Sequence, residues 1–190
     1  MTSLSIFDFD GTLFRSPAPP SWWSKSKNWW SSQDSLGRPC VPDRPDGSWW
    51  VGSTVTAAKQ AISDPDTLTV LCTGREDRSF ARWRIPELLQ QKGLHFDQVI
   101  LNPGAEKLST FKQGVLLRLL HQYPEIEMVH VWEDRADVAV LIKRAAVQTG
   151  RPCTIHFVRE PDKEPLCTEE GATYETDPGM RGRIVARWIG

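Results

Sequence analysis

The sequence predicts an α/β fold, a doubly wound parallel sheet, and three observations carry that prediction. Short apolar runs alternate with amphipathic stretches of helical length along most of the chain. The runs are continuous, as in strands buried on both faces. Acids, a hydroxyl and cations stand just past the ends of four runs, where open parallel sheets bind their ligands.

The first strand is expected over Leu4–Phe9. Residues 15–52 then break the pattern with prolines, serines and three adjacent tryptophan pairs (Trp22–Trp23, Trp29–Trp30 and Trp49–Trp50), and are expected to form an inserted loop. Ser53 is placed to cap a short helix ending near Ile62. Leu68–Cys72 is the second strand, followed by a helix to about Lys92 that Pro86 would kink. Gln98–Leu101 is the third strand. From Ser109 or Thr110 a helix begins whose residues Phe111, Val115, Leu116, Leu119 and Leu120 share one face. Met128–Trp132, a helix over Ala136–Thr149 and a strand over Thr154–Val158 complete the series. A single domain over residues 1–190 is expected, with an acidic segment at 160–177.

Composition excludes several classes. With 39% apolar and 25% charged residues in 190, the chain is neither disordered nor fibrous. No apolar run approaches the roughly 18 residues that span a bilayer, so no membrane partner is expected. A strand begins by Leu4 with no secretory signal ahead of it. Cys40, Cys72, Cys153 and Cys167 show neither zinc-site nor disulfide spacing, so free thiols in a reducing cytoplasm or nucleus are expected, in a monomer. The net charge of −1 hides an asymmetry: seven acids against Lys163 in 160–177 leave the rest of the chain positive. Arginine, the side chain that best grips phosphate, dominates the basic residues.

The chemistry starts at Asp8-Phe9-Asp10-Gly11-Thr12. In this composition a chance D-x-D-G-T is expected only about 0.004 times. In an extended chain Asp8 and Asp10 face one way, and two close carboxylates repel unless a cation such as Mg²⁺ lies between them. Gly11 lets the chain turn away. Past the second strand stand Thr73, Gly74 and Arg75, and past the third Lys112. At the end of the fourth stand Glu133, Asp134 and Arg135.

Ile6–Phe14, IFDFDGTLF, resembles the first motif of the haloacid dehalogenase (HAD) superfamily of phosphohydrolases, and the other motifs follow in order. The resemblance implies that Asp8 is the nucleophile, forming an aspartyl-phosphate, and that Asp10 is the general acid and then base. It implies that Thr73 and Gly74 hold a phosphate oxygen, and that Lys112, rather than the rival Lys107, steadies Asp8 and the phosphoryl group. Mg²⁺ would be held by Asp8, the Asp10 backbone carbonyl and Asp134, with Glu133 on a metal-bound water. Arg75 and Arg135 are expected to contact substrate. Arg78, Arg82 and Arg84 are candidates for a second phosphate, and a solvated helix face explains them equally well.

TGRE and EDR are similar to the phosphatase module of polynucleotide kinase-phosphatases, except that the fourth motif reads Glu-Asp where those enzymes have Asp-Asp. With CTGR, TFK, WEDR and a tryptophan-bearing insert, the chain looks closest to the HAD domain of Swiss Army Knife RNA-repair proteins. The implied function is a Mg²⁺-dependent phosphatase acting at polynucleotide 3′ ends. A small-metabolite phosphatase and a non-catalytic HAD scaffold are the alternatives. The insert is expected as a lid or wall beside Asp8. Most of its tryptophans would pack inward, and at least one would be free to stack on a base.

Overall fold

The structure is a computed structural model and describes residues 1–24, 28–104, 106–159, 166–168 and 171–173. Five parallel strands, β1 (Ser3–Phe7), β2 (Thr67–Glu76), β3 (Gln98–Asn102), β4 (Met128–Glu133) and β5 (Cys153–Phe157), lie in the order β3-β2-β1-β4-β5. The chain winds outward from β1 through β2 to β3, then returns across β1 to lay down β4 and β5. The winding direction therefore reverses at β1, and the crevice beyond the carboxyl ends of β1, β2 and β4 is where such a sheet takes a ligand.

Side-chain alternation along the strands divides the interior into two cores. Leu4 and Ile6 of β1, with Val70, Val129 and Val131, meet α3 (Leu108–Gln122) and α4 (Ala136–Gln148) through Phe111, Val115, Leu116, Leu119 and Ile142. Phe7 and Leu71 face the other way, toward α1 (Gly52–Ser63) and α2 (Ala81–Lys92). The apolar stripe expected on α3 is thus the stripe it buries. Pro86 lies inside α2 without ending it, and Gly93, at φ 70°, closes that helix with its N–H on Gln90 and Leu89 carbonyls.

Three elements depart from expectation. Strand β2 runs four residues further, to Glu76, because a bulge between Thr73 and Glu76 lets pairing with β3 resume at Asn102. Helix α1 starts one residue before Ser53, with Val51 at its N-cap and no side-chain cap. Within the acidic segment, Leu166–Thr168 (β6) and Gly171–Thr173 (β7) pair as an antiparallel ribbon; the rest of that segment lies outside the described residues. Of the cysteines, Cys72 and Cys153 are free, whereas Cys40 is disulfide-bonded, against the expectation of free thiols throughout.

The insert is irregular but pinned. Its ends are zipped where it leaves the sheet: Arg15 N–H donates to Trp49 O at 2.9 Å, Val51 N–H to Leu13 O at 3.1 Å, and Phe14 bridges Trp50. Inside it, short 3₁₀ turns at Trp29–Ser31, Gln33–Ser35 and Gly47–Trp49 are capped by Asn28, Ser32 and Asp46. Trp49 and Trp50 are both buried in the α1/α2-side core around Phe14. From α2, Arg84 reaches the insert's Leu36, Pro42 and Asp43 carbonyls at 2.7–3.1 Å, so this arginine is buried and tied to the loop rather than offered to a second phosphate.

Phe14 stacks on Phe9 and Trp49 and meets Trp50 edge-on, with no exposed surface. Phe14→Ala should therefore cost about 3–5 kcal/mol of stability. Urea unfolding should show a lower midpoint at unchanged slope; a loss under about 1 kcal/mol would mean that the insert is not part of the core.

Candidate active site

Asp8 follows β1 directly, and its N–H donates to Trp132 O at 3.0 Å, so the first catalytic candidate is fixed by the sheet. Beyond it the chain folds back: Leu13 and Phe14 donate to Phe9 O, and Gly11 donates to Phe14 O. Gly11 sits at φ 71°, and a Cβ there would lie 2.5 Å from Asp134 Oδ2. Both the backbone angle and the close approach of Asp134 demand glycine. At Gly74 a Cβ would lie 2.6 Å from a terminal methyl of Leu108 at the start of α3, which would have to move aside.

Lys112, in the second turn of α3, is buried between two carboxylates. Its Nζ donates to Asp8 Oδ1 and to Glu133 Oε2, each at 2.6 Å. The rival Lys107 is the N-cap residue of α3. Glu133 spends its second oxygen on the Arg135 N–H at 3.1 Å. Thr12, fully buried, donates to Asp8 Oδ2 at 3.3 Å and reaches Asp134 Oδ1 at 3.5 Å. Oxygens of Asp8, Glu133 and Asp134 lie within 4.8 Å of one another.

Three carboxylates around one ammonium leave an excess of buried negative charge. Burial pushes the Asp8 carboxyl up to about 7, with Glu133 and Asp10 adding to the rise and Lys112 opposing it. Burial also raises Glu133 and Asp134. At Lys112 burial acts to lower the pKa, but Asp8 and Glu133 outweigh it and hold the ammonium above its ordinary value. Protons or a cation must balance such a cluster. An all-oxygen donor set of carboxylates fits a hard cation of the Mg²⁺ type.

Asp10 stands apart from that trio. Its carboxylate takes Arg75 Nε at 3.0 and 3.1 Å and Arg75 Nη2 at 2.7 Å, accepts from Ser16 Oγ, and touches Thr73 Oγ1 at 3.5 Å. Its carboxylate is thus engaged by Arg75 and Ser16 and is not among the grouped oxygens of Asp8, Glu133 and Asp134. Arg75, 2% exposed, also donates through Nη1 to Trp30 O at 2.8 Å and to Ser35 Oγ. Four of its five N–H groups are therefore spent on Asp10 and the insert. The guanidinium expected on substrate instead grips Asp10 and ties it to the insert. Arg135, half-exposed at the rim, pairs with Asp137 at 2.9 Å. Arg82 pairs with Asp77 at 3.4 Å, on the exposed surface. Cys72 lies nearby, but burial pushes its thiol up to about 12 and removes it as a nucleophile.

Thr12, Ser16 and Ser35 were not singled out from the sequence. The first sits inside the DFDGT motif and could have been read from it. Ser16 and Ser35 belong to a loop with no periodicity, and nothing in the sequence marks them.

A five-stranded parallel sheet with DFDGT, TGR, Lys112 and Glu-Asp gathered at its carboxyl edge defines a member of the HAD superfamily. Within it, residues 16–156 match the model of HAD domain family 1 in Swiss Army Knife RNA repair proteins, and the chain belongs to that family. A Saccharomyces cerevisiae protein, "Uncharacterized protein YMR265C", is 27% identical over 71% of this chain and 35% of its own length. The fold is similar to a chain in the structure of the Pnkp1/Rnl/Hen1 RNA repair complex (TM-score 0.53, 17% identity, covering 83% of this chain and 44% of that one). It is also similar to the HAD domain of effector protein Lem4 from Legionella pneumophila (TM-score 0.56, 14% identity, covering 84% and 88%). The chain thus spans about a third of the yeast relative. Among the described residues no helix is long and apolar enough to cross a membrane.

The raised Asp8 pKa has a measurable consequence. A carboxyl that holds its proton more tightly when folded stabilises the fold below its unfolded value of 3.8, and that contribution is lost as pH rises through about 7. In EDTA, Tm should fall between about pH 4 and pH 7. Added Mg²⁺ should raise Tm more at about pH 7.5, above the Asp8 pKa of about 7, than at about pH 5, where protons compete for the same oxygens. An equal shift at both, or none, would count against the trio as a cation site.

Proposed function

We propose that the chain is a Mg²⁺-dependent phosphomonoesterase that removes phosphate from polynucleotide 3′ ends through an aspartyl-phosphate at Asp8. The observation that carries this reading is the buried Asp8 carboxylate, held by Lys112 at 2.6 Å, with the second carboxyl, Asp10, two residues on and oriented independently by Arg75. A carboxylate oxygen of Asp8 attacks phosphorus while the bond to the nucleoside oxygen breaks, and that oxygen takes a proton from the Asp10 carboxyl. The Asp10 carboxylate then takes a proton from water, whose oxygen attacks the phosphorus and returns Asp8 as a carboxylate. Lys112 offsets the charge gathering on the phosphoryl oxygens, and Thr73 and Gly74 hold one of them. Asp8, Asp134 and the Asp10 carbonyl, with Glu133 in support, would hold Mg²⁺, which when bound would supply neutralisation of phosphate charge.

Support for a polynucleotide substrate comes from the family, which is defined in RNA repair proteins, and from the shape of the site. Only residues 103–107 separate β3 from α3, too few for a folded cap, and the insert is bound to α2 and the core. Arg135 at the open rim remains available to a bulky substrate.

Phosphate release from 3′-phosphorylated oligonucleotides should exceed that from 5′-phosphorylated ones, mononucleotides and sugar phosphates. It should stop with EDTA and return with Mg²⁺. Asp8→Asn should abolish turnover, and Asp10→Asn should lower kcat by about 10²–10⁴-fold. An Asp8→Asn protein that hydrolyses p-nitrophenyl phosphate at the wild-type rate would overturn the assignment; a preference for sugar phosphates would replace the substrate class.

A further inference from the structure

Among the six paired tryptophans the structure separates one from the rest. Trp29, Trp49 and Trp50 are buried, and Trp29 is locked by its indole N–H on Pro17 O at 2.8 Å. Trp30 is 39% exposed, yet its backbone is held on both sides. Its N–H donates to Asn28 Oδ1 at 3.2 Å and its carbonyl accepts from Arg75 Nη1 at 2.8 Å. One face of its ring lies on the Arg75 guanidinium, Cζ standing 4.8 Å from the ring centroid. The edge of the same guanidinium grips Asp10, with Nη2 2.7 Å from Oδ1. Ring and carboxylate therefore flank one buried, immobile group.

We infer that Trp30 is a base-stacking platform for the nucleotide whose phosphate is removed, an inference that rests on the polynucleotide reading above. With the phosphate at Asp8, the leaving oxygen meets Asp10, and the base lies one sugar away on the side where the insert presents Trp30. An aromatic ring already backed by a fixed cation offers its other face at little entropic cost. Stacking on a π-face is tolerant of base identity, as end processing requires. Two other exposed tryptophans lack this connection. Trp22, 44% exposed, meets Trp23 edge-on, and no contact among the described residues ties it to Asp10. Trp83, 73% exposed, lies under Arg82, which pairs with Asp77 on the surface.

The test compares wild type, Trp30→Ala, Trp30→Leu, Trp30→Phe and Trp83→Ala on three substrates. These are a 3′-phosphorylated oligonucleotide, the same oligonucleotide with an abasic 3′-terminal nucleotide, and p-nitrophenyl phosphate. Trp30→Ala should raise KM for the base-bearing end about ten- to a hundredfold, with the other two substrates within about twofold. Trp30→Leu, which still covers Arg75, should behave like Trp30→Ala; Trp30→Phe should restore most of the loss; Trp83→Ala should match wild type. Equal losses on all three substrates would make Trp30 a prop for Arg75 and overturn the platform, as would no loss, or the same loss from Trp83→Ala. A wild-type chain that hydrolyses p-nitrophenyl phosphate but neither oligonucleotide overturns the polynucleotide reading and the platform with it; wild-type activity on oligonucleotides with Trp30→Ala unaffected overturns the platform alone.

Discussion

The buried ammonium of Lys112, 2.6 Å from both Asp8 and Glu133, is the interaction on which the site depends. Taking one cation and two carboxylates out of water is costly, and an apolar trio of similar volume would fold as well or better. What the ion cluster supplies is a fixed electrostatic position. Glu133 is anchored from behind by the Arg135 N–H, so it holds Lys112, and Lys112 in turn holds one oxygen of Asp8. Three elements, β1, β4 and α3, are thereby tied at the rim where the winding direction reverses. The charge still does not balance, because Asp134 adds a third carboxylate. That residual negative charge is what makes the pocket receptive to a divalent cation and, through it, to an anionic phosphate.

A second set of buried cations, guanidinium rather than ammonium, fixes the insert. Arg75 joins Asp10 to Trp30 and Ser35, and Arg84 joins α2 to the Leu36, Pro42 and Asp43 carbonyls. A loop with few aliphatic side chains cannot build a conventional core, and two devices replace it. Tryptophans supply the apolar area, and planar guanidinium groups bind two or three loop oxygens each. The same Arg75 that anchors the loop orients Asp10, so the position of this carboxylate is coupled to the folding of the insert.

The sheet, its helices and most site residues were legible because each rests on a local pattern: apolar runs for strands, one-sided stripes for helices, and DFDGT for the turn after β1. Lys112 was separable from Lys107 only through the resemblance, since both are lysines near one helix start. The partners of Arg75, expected on substrate, and of Arg84, expected on a second phosphate or a solvated face, include side chains and carbonyls of an irregular loop, which residue type does not encode. The tryptophan pairs were half legible. Alternation in an extended chain predicts one ring in and one out, which fits Trp29–Trp30 in outcome; Trp49 instead closes a 3₁₀ turn, and both rings of its pair are buried. The Cys40 disulfide had no signal in the local spacing.

These anchors also decide how the site can select a substrate. A lid that closes needs a segment with few buried contacts and a hinge at each end. Here both ends of the insert are hydrogen-bonded to each other, Trp49 and Trp50 sit in a core shared with α2, and Arg84 binds the middle of the loop. The insert is therefore a wall, and opening it would expose buried aromatic surface and strip Arg75 and Arg84 of their loop partners, leaving them only Asp10 and Glu87. Discrimination by closure around a small ligand is not open to such a site. On the phosphatase reading, selectivity rests on what the described part of this wall presents beside Asp10, where Trp30 is the exposed ring tied to it through Arg75.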